Sequence, residues 1–177
     1  LTRCRERFHD VAEGVRKRAW SMFERYLSIC PRTRVLFEWP AIIAVGVAGE
    51  MLGWLRIPLS PYTNAIGGVL FLGGFWLHAR CHRAHRQGHQ DSSEIGRIVA
   101  EGPYSRVRHP MYLGLVAMYF GAALAWGIVW ILLPALVVSL LTVLTAFVEE
   151  KRLLERFPHE YAEYMKAVRW RLIPGVF

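Results

Sequence analysis

The sequence predicts an all-α integral membrane protein with four transmembrane helices, a cytoplasmic loop between the second and third, and a C-terminal helix. Three observations predict it. Hydrophobic residues make up 54% of the 177 positions and come in blocks, a membrane composition rather than a soluble one. Met111 to Val148 is a run of 38 residues without a charge. One span needs about 20 residues, so the run holds two helices. Of the 22 Lys and Arg, only Arg56 falls in a connection predicted to face outward. By the positive-inside rule both termini and the central loop are then cytoplasmic, and the protein is multi-pass.

Taken in order, residues 1–34 form a charged N-terminal interfacial segment, and residues 35–177 form the membrane domain. Within the first, Val15 to Ile29 places Trp20, Phe23 and Leu27 at helical spacing among basic residues, the pattern of an amphipathic helix on a membrane surface, with a solvated N-terminal extension as the alternative. The first long apolar run begins only after Arg34, so no cleavable signal peptide is expected. Val35 to Leu55 is the first span, with Glu38 near its start and Glu50 near its end. A carboxylate inside a membrane is expensive and marks function by default. For Glu50 the better reading is an interfacial partner of Arg56.

Tyr62 to Leu77 is the second span. Its Gly67, Gly68, Gly73 and Gly74 read as helix-packing positions, since small residues let helices approach closely in lipid. His78, His82, His85 and His89 follow at helical spacing and share one face. Imidazoles in such a row can bind zinc or haem. No acidic or Cys ligand is interleaved at the right register, and Arg80, Arg83 and Arg86 would repel a cation, so no metal site is expected. The stretch reads instead as a basic helical extension. In the uncharged run, Trp126-Gly127 and Trp130 mark the turn between the third and fourth helices, and Pro134 lies where it can bend the fourth. Glu149-Glu150 follow that helix directly, then an apolar stripe of Leu153, Leu154 and Phe157, with Tyr161 and Tyr164 beyond.

The formal charge of +8 could suggest nucleic acid. The basic residues alternate with apolar blocks, so membrane lipid head groups are the expected partner and nucleic acid is not. Cys4, Cys30 and Cys81 are far apart, odd in number and without a CxxC pair. Reduced thiols and no structural disulfide are expected.

Ile98 to Tyr112, IVAEGPYSRVRHPMY, concentrates the chemistry. Gly102-Pro103 is turn chemistry, and Pro110 can open a helix where its missing N–H costs nothing. Arg106, Arg108 and His109 stand before that helix and Tyr104 and Tyr112 flank them, so donors converge at a helix N-terminus. RHPMYLG after GPYSRV resembles the signature of the isoprenylcysteine carboxyl methyltransferase and phospholipid methyltransferase superfamily. EEKRLLERFPHEYAEYM, from Glu149 to Met165, is similar to that superfamily's C-terminal motif. The likeness covers roughly residues 87–174. Pro158 stands where the family often has Gly, and Arg169 makes the closing Trp170 to Pro174 segment differ by a residue.

The resemblance implies an integral-membrane enzyme using S-adenosyl-L-methionine. It makes the central loop a cofactor-binding loop. His109 and the backbone near Gly102 and Tyr104 can then hold a carboxylate or ribose. Glu149 or Glu150, with Glu150 favoured, can hold the ammonium. Tyr104, Tyr112, Ile98 and Val99 can flank the adenine. Gln87 falls where the family has a Gly-containing stretch on the cofactor. Arg108 is the candidate to hold an anionic acceptor, with Arg152 and Arg171 in reserve. The acceptor is a lipophilic small molecule arriving from the bilayer, by preference the carboxylate of an isoprenylcysteine. A phospholipid amine or a small thiol is the alternative acceptor. A non-catalytic lipid-, metal- or haem-binding membrane protein is the alternative class. No Rossmann glycine fingerprint is present.

Overall fold

The uncharged run folds as a helical hairpin, and three further helices and a short tail pack around it. A computed structural model describes residues 26–27, 31–84 and 97–176. The helix expected over Val15 to Ile29, together with His85, Gln87 and His89, lies essentially outside the described residues, as do Cys4 and Cys30. Helix α1 is Pro31–Met51 and α2 is Tyr62–Ala84. A 3-10 turn, Gly102–Ser105, precedes α3, Pro110–Trp126; a second, Val129–Ile131, precedes α4, Leu132–Arg156; and α5 is Pro158–Ala167. All regular structure among the described residues is helical apart from one isolated backbone bridge, between Arg56 and Ile128.

Local chemistry sets the boundaries. The hairpin turns at the predicted place, where Gly127 adopts the left-handed conformation at φ 81° and its N–H bonds to the Ala123 carbonyl at 3.1 Å; a side chain there would be strained. Pro134 is the third residue of α4, inside the first turn where no intrahelical N–H is needed, so it need not bend the helix. Pro158 is the first residue of α5, the position proline fits best. That local fit explains a proline in place of glycine. The His78 and His82 part of the basic extension is helical, continuing α2 to Ala84.

The four long helices run up and down, and α2 lies against antiparallel α3 through glycine. A Cβ on Gly74 would stand 2.6 Å from the Gly114 carbonyl oxygen, and one on Gly121 would stand 2.4 Å from the Phe71 nitrogen. Gly67 is as tight, with a Cβ placed 2.2 Å from the Ala125 nitrogen. Backbone cannot move aside for a methyl group, so any larger residue at these positions forces the helices apart. Gly68 and Gly73 face open space, so only half of the predicted glycine set makes this contact.

Both ends of the bundle are tied by backbone. At one end the connection after α1 meets the hairpin turn, with Ile57 N–H on the Gly127 carbonyl at 2.8 Å and Val129 N–H on the Leu55 carbonyl at 3.0 Å. Arg56 donates to Glu50 there at 2.6 Å, both side chains exposed, the arrangement expected for Glu50. At the other end the loop before α3 meets the C-terminal segment. Arg108 N–H bonds to the Trp170 carbonyl at 2.9 Å and His109 N–H to the Arg171 carbonyl at 2.8 Å.

The core holds Ile42, Tyr119, Ile128, Ile131 and Ala135, all almost fully buried. Outside it, Leu36, Phe37, Val47, Val69, Leu72, Trp76, Leu133 and Leu140 are exposed. Among the described residues, one helical stretch, Val129–Arg156, is long and apolar enough to cross a membrane by length and composition, its most apolar 18 residues having a mean hydropathy of 2.6. Pro110–Trp126 is apolar but shorter.

Candidate active site at the loop end of the bundle

The loop, the start of α3, the end of α4 and helix α5 enclose an open cavity with about 590 Å³ of empty space, part of it continuous with solvent. Its lining contains Ile98, Val99, Tyr104, Arg108, His109, Tyr112 and Glu149. All seven are residues the sequence nominates. Arg97, Met111, Leu153, Tyr161 and Tyr164 complete it, and none of these was nominated. Leu153 was legible in principle, because it lies one turn beyond Glu149 and shares its face. Tyr161 and Tyr164 fall in the second signature block. Arg97 follows a polar stretch that carries no periodic signal.

The two adjacent carboxylates part company, as their offset of about 100° requires. Glu149 turns to the cavity. Glu150 turns into the protein, where it is 4% exposed. Arg108 Nε donates to its Oε1 at 2.7 Å. Arg171 Nε and Nη2 donate to its Oε2 at 3.0 and 2.8 Å. His109 Nε2 lies 3.1 Å from Oε1. Burial alone would raise the Glu150 carboxyl. The hydrogen bonds from His109, Arg171 and Arg108 outweigh it and hold the group at about 2. Glu150 is therefore ionised at neutral pH and fully engaged.

That engagement changes two expectations. The favoured ammonium holder, Glu150, is a buried anchor, while Glu149 is the carboxylate at the cavity. Arg108 does line the cavity, but its Nε is on Glu150 and its Nη1 is on the carbonyls of Val168 and Arg169, at 3.0 and 2.9 Å. It is held in place as much as it is offered. Arg152 is half-buried and not part of the lining, and Gly102 is exposed at φ 61° with its Cα face toward Ala84. Glycine at 102 makes the turn that carries Tyr104 inward.

His109 is buried, stacked on Tyr112 with ring centroids 5.5 Å apart and an interplanar angle of 12°. Its Nδ1 stands 3.7 Å from Glu149 Oε2, so the ring lies between the two carboxylates. The phenol of Tyr112 is close enough to Glu149 for the charge to act on it. Tyr164 donates to the Tyr104 carbonyl at 2.7 Å, tying α5 to the loop. Burial pushes the phenols of Tyr104, Tyr161 and Tyr164 up, so at neutral pH they are uncharged hydroxyls. The cavity thus offers one carboxylate, aromatic and apolar faces, and cationic side chains from Arg97 and Arg108.

Behind the lining, Cys81 is fully buried, and burial pushes its thiol up to about 12. A thiol in that state is not a nucleophile. His78 and His82 pack edge to face at 4.9 Å. No group of three or more His, Cys, Asp or Glu arranged for a metal occurs among the described residues.

A family model for phospholipid methyltransferases matches residues 62–160, more than half of the chain. The chain belongs to the phospholipid methyltransferase family. This lies within the superfamily that the two signature blocks resemble. No curated protein matches the chain. Membership implies a membrane methyltransferase, and methyltransferases of this family generally use S-adenosylmethionine. The family match spans α2, α3, α4 and the opening of α5. It includes every cavity residue except Tyr161 and Tyr164. Helix α1 and the segment bearing Arg171 fall outside it.

Proposed function

We propose that the chain transfers a methyl group from S-adenosylmethionine to a lipophilic acceptor delivered by the membrane, in the cavity between the loop and α5. The observation that carries this is Glu149: a carboxylate aimed into an aromatic cavity, beside the loop signature, in a chain of this family. The bound cofactor supplies an electrophilic methyl on a sulfonium. Glu149 suits its ammonium, a charge-assisted pair stronger than a neutral hydrogen bond. His109 and the backbone around Tyr104 suit its carboxylate or ribose. Tyr104, Tyr112, Tyr161, Ile98 and Val99 offer faces for the adenine and exclude water, and positioning with water exclusion can supply much of the acceleration.

For the acceptor, the first reading is an anionic carboxylate of the isoprenylcysteine kind. Arg97 and Arg108 at the cavity favour an anion, and an acceptor already charged needs no general base. A phospholipid amine is the second reading, favoured by the description of the matched family. Purified protein in nanodiscs, given methyl-tritiated S-adenosylmethionine, should label a farnesylcysteine acceptor more than phosphatidylethanolamine. Labelling of phosphatidylethanolamine alone would select the second reading, and labelling of neither would remove both.

The same reading has four membrane crossings with the cavity end cytoplasmic. The exposed apolar residues around α1, α2 and α4 support lipid contact. The cavity end carries Arg97, Arg106, Arg108, Lys151, Arg152 and Arg156, whereas the far end carries Arg56, an asymmetry that favours this orientation. A cysteine placed at Trp130 should react with an impermeant thiol reagent added outside cells, and one at Arg106 should not. The opposite pattern would invert the orientation.

A further inference from the structure

Arg34 and Glu38 form a second buried charge cluster, on the helix that lies outside the family match. Each is 4% exposed. Arg34 donates to Glu38 Oε1 through Nε at 3.1 Å and Nη2 at 2.9 Å, and through Nη1 to the Thr145 hydroxyl. Glu38 also accepts from the phenols of Tyr26, at 3.0 Å, and Tyr119. Every contact is satisfied, and together they join α1 to α3 and α4.

The place of these contacts gives them a further role. Thr145 lies one turn before Glu149 on α4, and Tyr119 two turns after Tyr112 on α3, in each case on the same face. Arg34 is also near enough for its charge to reach Tyr112. The cluster is therefore a floor one layer beneath the cavity, joined to both helices that supply its inner wall. Two bare charges need not be kept there for stability, since a buried ion pair is often replaceable by apolar residues of similar volume. What apolar residues lack is direction. A guanidinium bonded on both edges fixes the spacing of the groups it joins.

We propose that Arg34 and Glu38 are positioning residues that set the separation of α3 and α4 beneath the cavity, and so hold Tyr112 and Glu149 at the spacing the cofactor needs. This rests on the reading of the cavity as a cofactor site, and two readouts keep the claims apart. The first is a pulsed electron resonance distance between spin labels at the exposed positions Arg106 and Lys151, with Cys4, Cys30 and Cys81 replaced by Ala. The second is S-adenosylhomocysteine affinity, read beside the melting midpoint.

The variant Arg34→Met with Glu38→Gln removes both charges and leaves neither unpaired. It should melt near the parent, broaden or lengthen the distance distribution, and bind S-adenosylhomocysteine about tenfold more weakly, the scale of one misplaced charge-assisted contact. Thr145→Val cuts only the tie to α4 and keeps the ion pair, so it decides the matter if the double variant does not fold. It should move both readouts in the same direction. Glu50→Gln with Arg56→Met, an exposed pair at the far end, should move neither. Unchanged distances, or changed distances with parent-like affinity, would overturn the proposal, as would an equal effect from the far-end control. If the parent itself fails to bind S-adenosylhomocysteine, the cofactor reading falls and so does its positioning role. The distances then show only whether the cluster spaces the helices.

Discussion

Glu150→Gln should lower stability by about 3–5 kcal/mol, the range for breaking one side of a buried charge pair. In a domain of this size that is on the order of 10 °C in melting midpoint. Three donors depend on this carboxylate: Arg108, Arg171 and His109. A neutral amide leaves two guanidinium groups facing an uncharged, partly donating partner. The pH dependence follows from the same contacts. The folded-state value of about 2 lies below the ordinary 4.5, so Glu150 stabilises fully above the ordinary value. That contribution is lost as pH falls toward the folded-state value. Thermal melts from pH 7 down to 2 should show this acid limb in the parent and a smaller one in the variant. A variant melting within a couple of degrees of the parent at neutral pH would mean the arginines find other partners.

Glu149→Gln should do the converse. Its side chain is 23% exposed and stands 3.7 Å from His109, which keeps its bond to Glu150, so neutralising it leaves no buried cation bare. Stability should stay close to the parent. S-adenosylhomocysteine affinity should fall ten- to a hundredfold, since a hydrogen bond between charged groups is worth about 1.5–3 kcal/mol. Calorimetric titration of detergent-solubilised protein would measure it. Parent-like affinity for this variant would remove the carboxylate from the ammonium. The contrast between neighbours is the informative result: one substitution costs fold, the other costs ligand.

How much of this could be read from the chain follows from what periodicity encodes. The hairpin turn at Gly127 was legible because aromatic residues and a glycine interrupt an otherwise uniform run. The loop lining from Ile98 to Tyr112 was legible because Pro and Gly fix its turns and the residue types match a known signature. Choosing between Glu149 and Glu150 was not. Helix geometry says they diverge but not which faces the cavity, and that depends on Arg171 arriving from a segment with no fixed period. Arg34 and Glu38 gave a weaker signal still. They stand at the edge of a predicted span, and only the packing of α3 and α4 over them makes them buried. Gly68 and Gly73 fit a packing motif and face outward, because four glycines on adjacent positions cannot share one helix face.

The bonds from Arg108 and His109 to the carbonyls of Trp170 and Arg171 also bear on the order of events in folding. They close across some 60 residues of chain, and Arg34 reaches Thr145 across 111. Contacts so distant in sequence are slow to form, because ordering of the intervening chain must precede them. The hairpin of α3 and α4 turns on the few residues around Gly127 and needs only neighbouring chain. A chain emerging from the ribosome can therefore form its hairpin before it has a cavity. Both signature blocks can be in place while His109 still lacks the tail that fixes it.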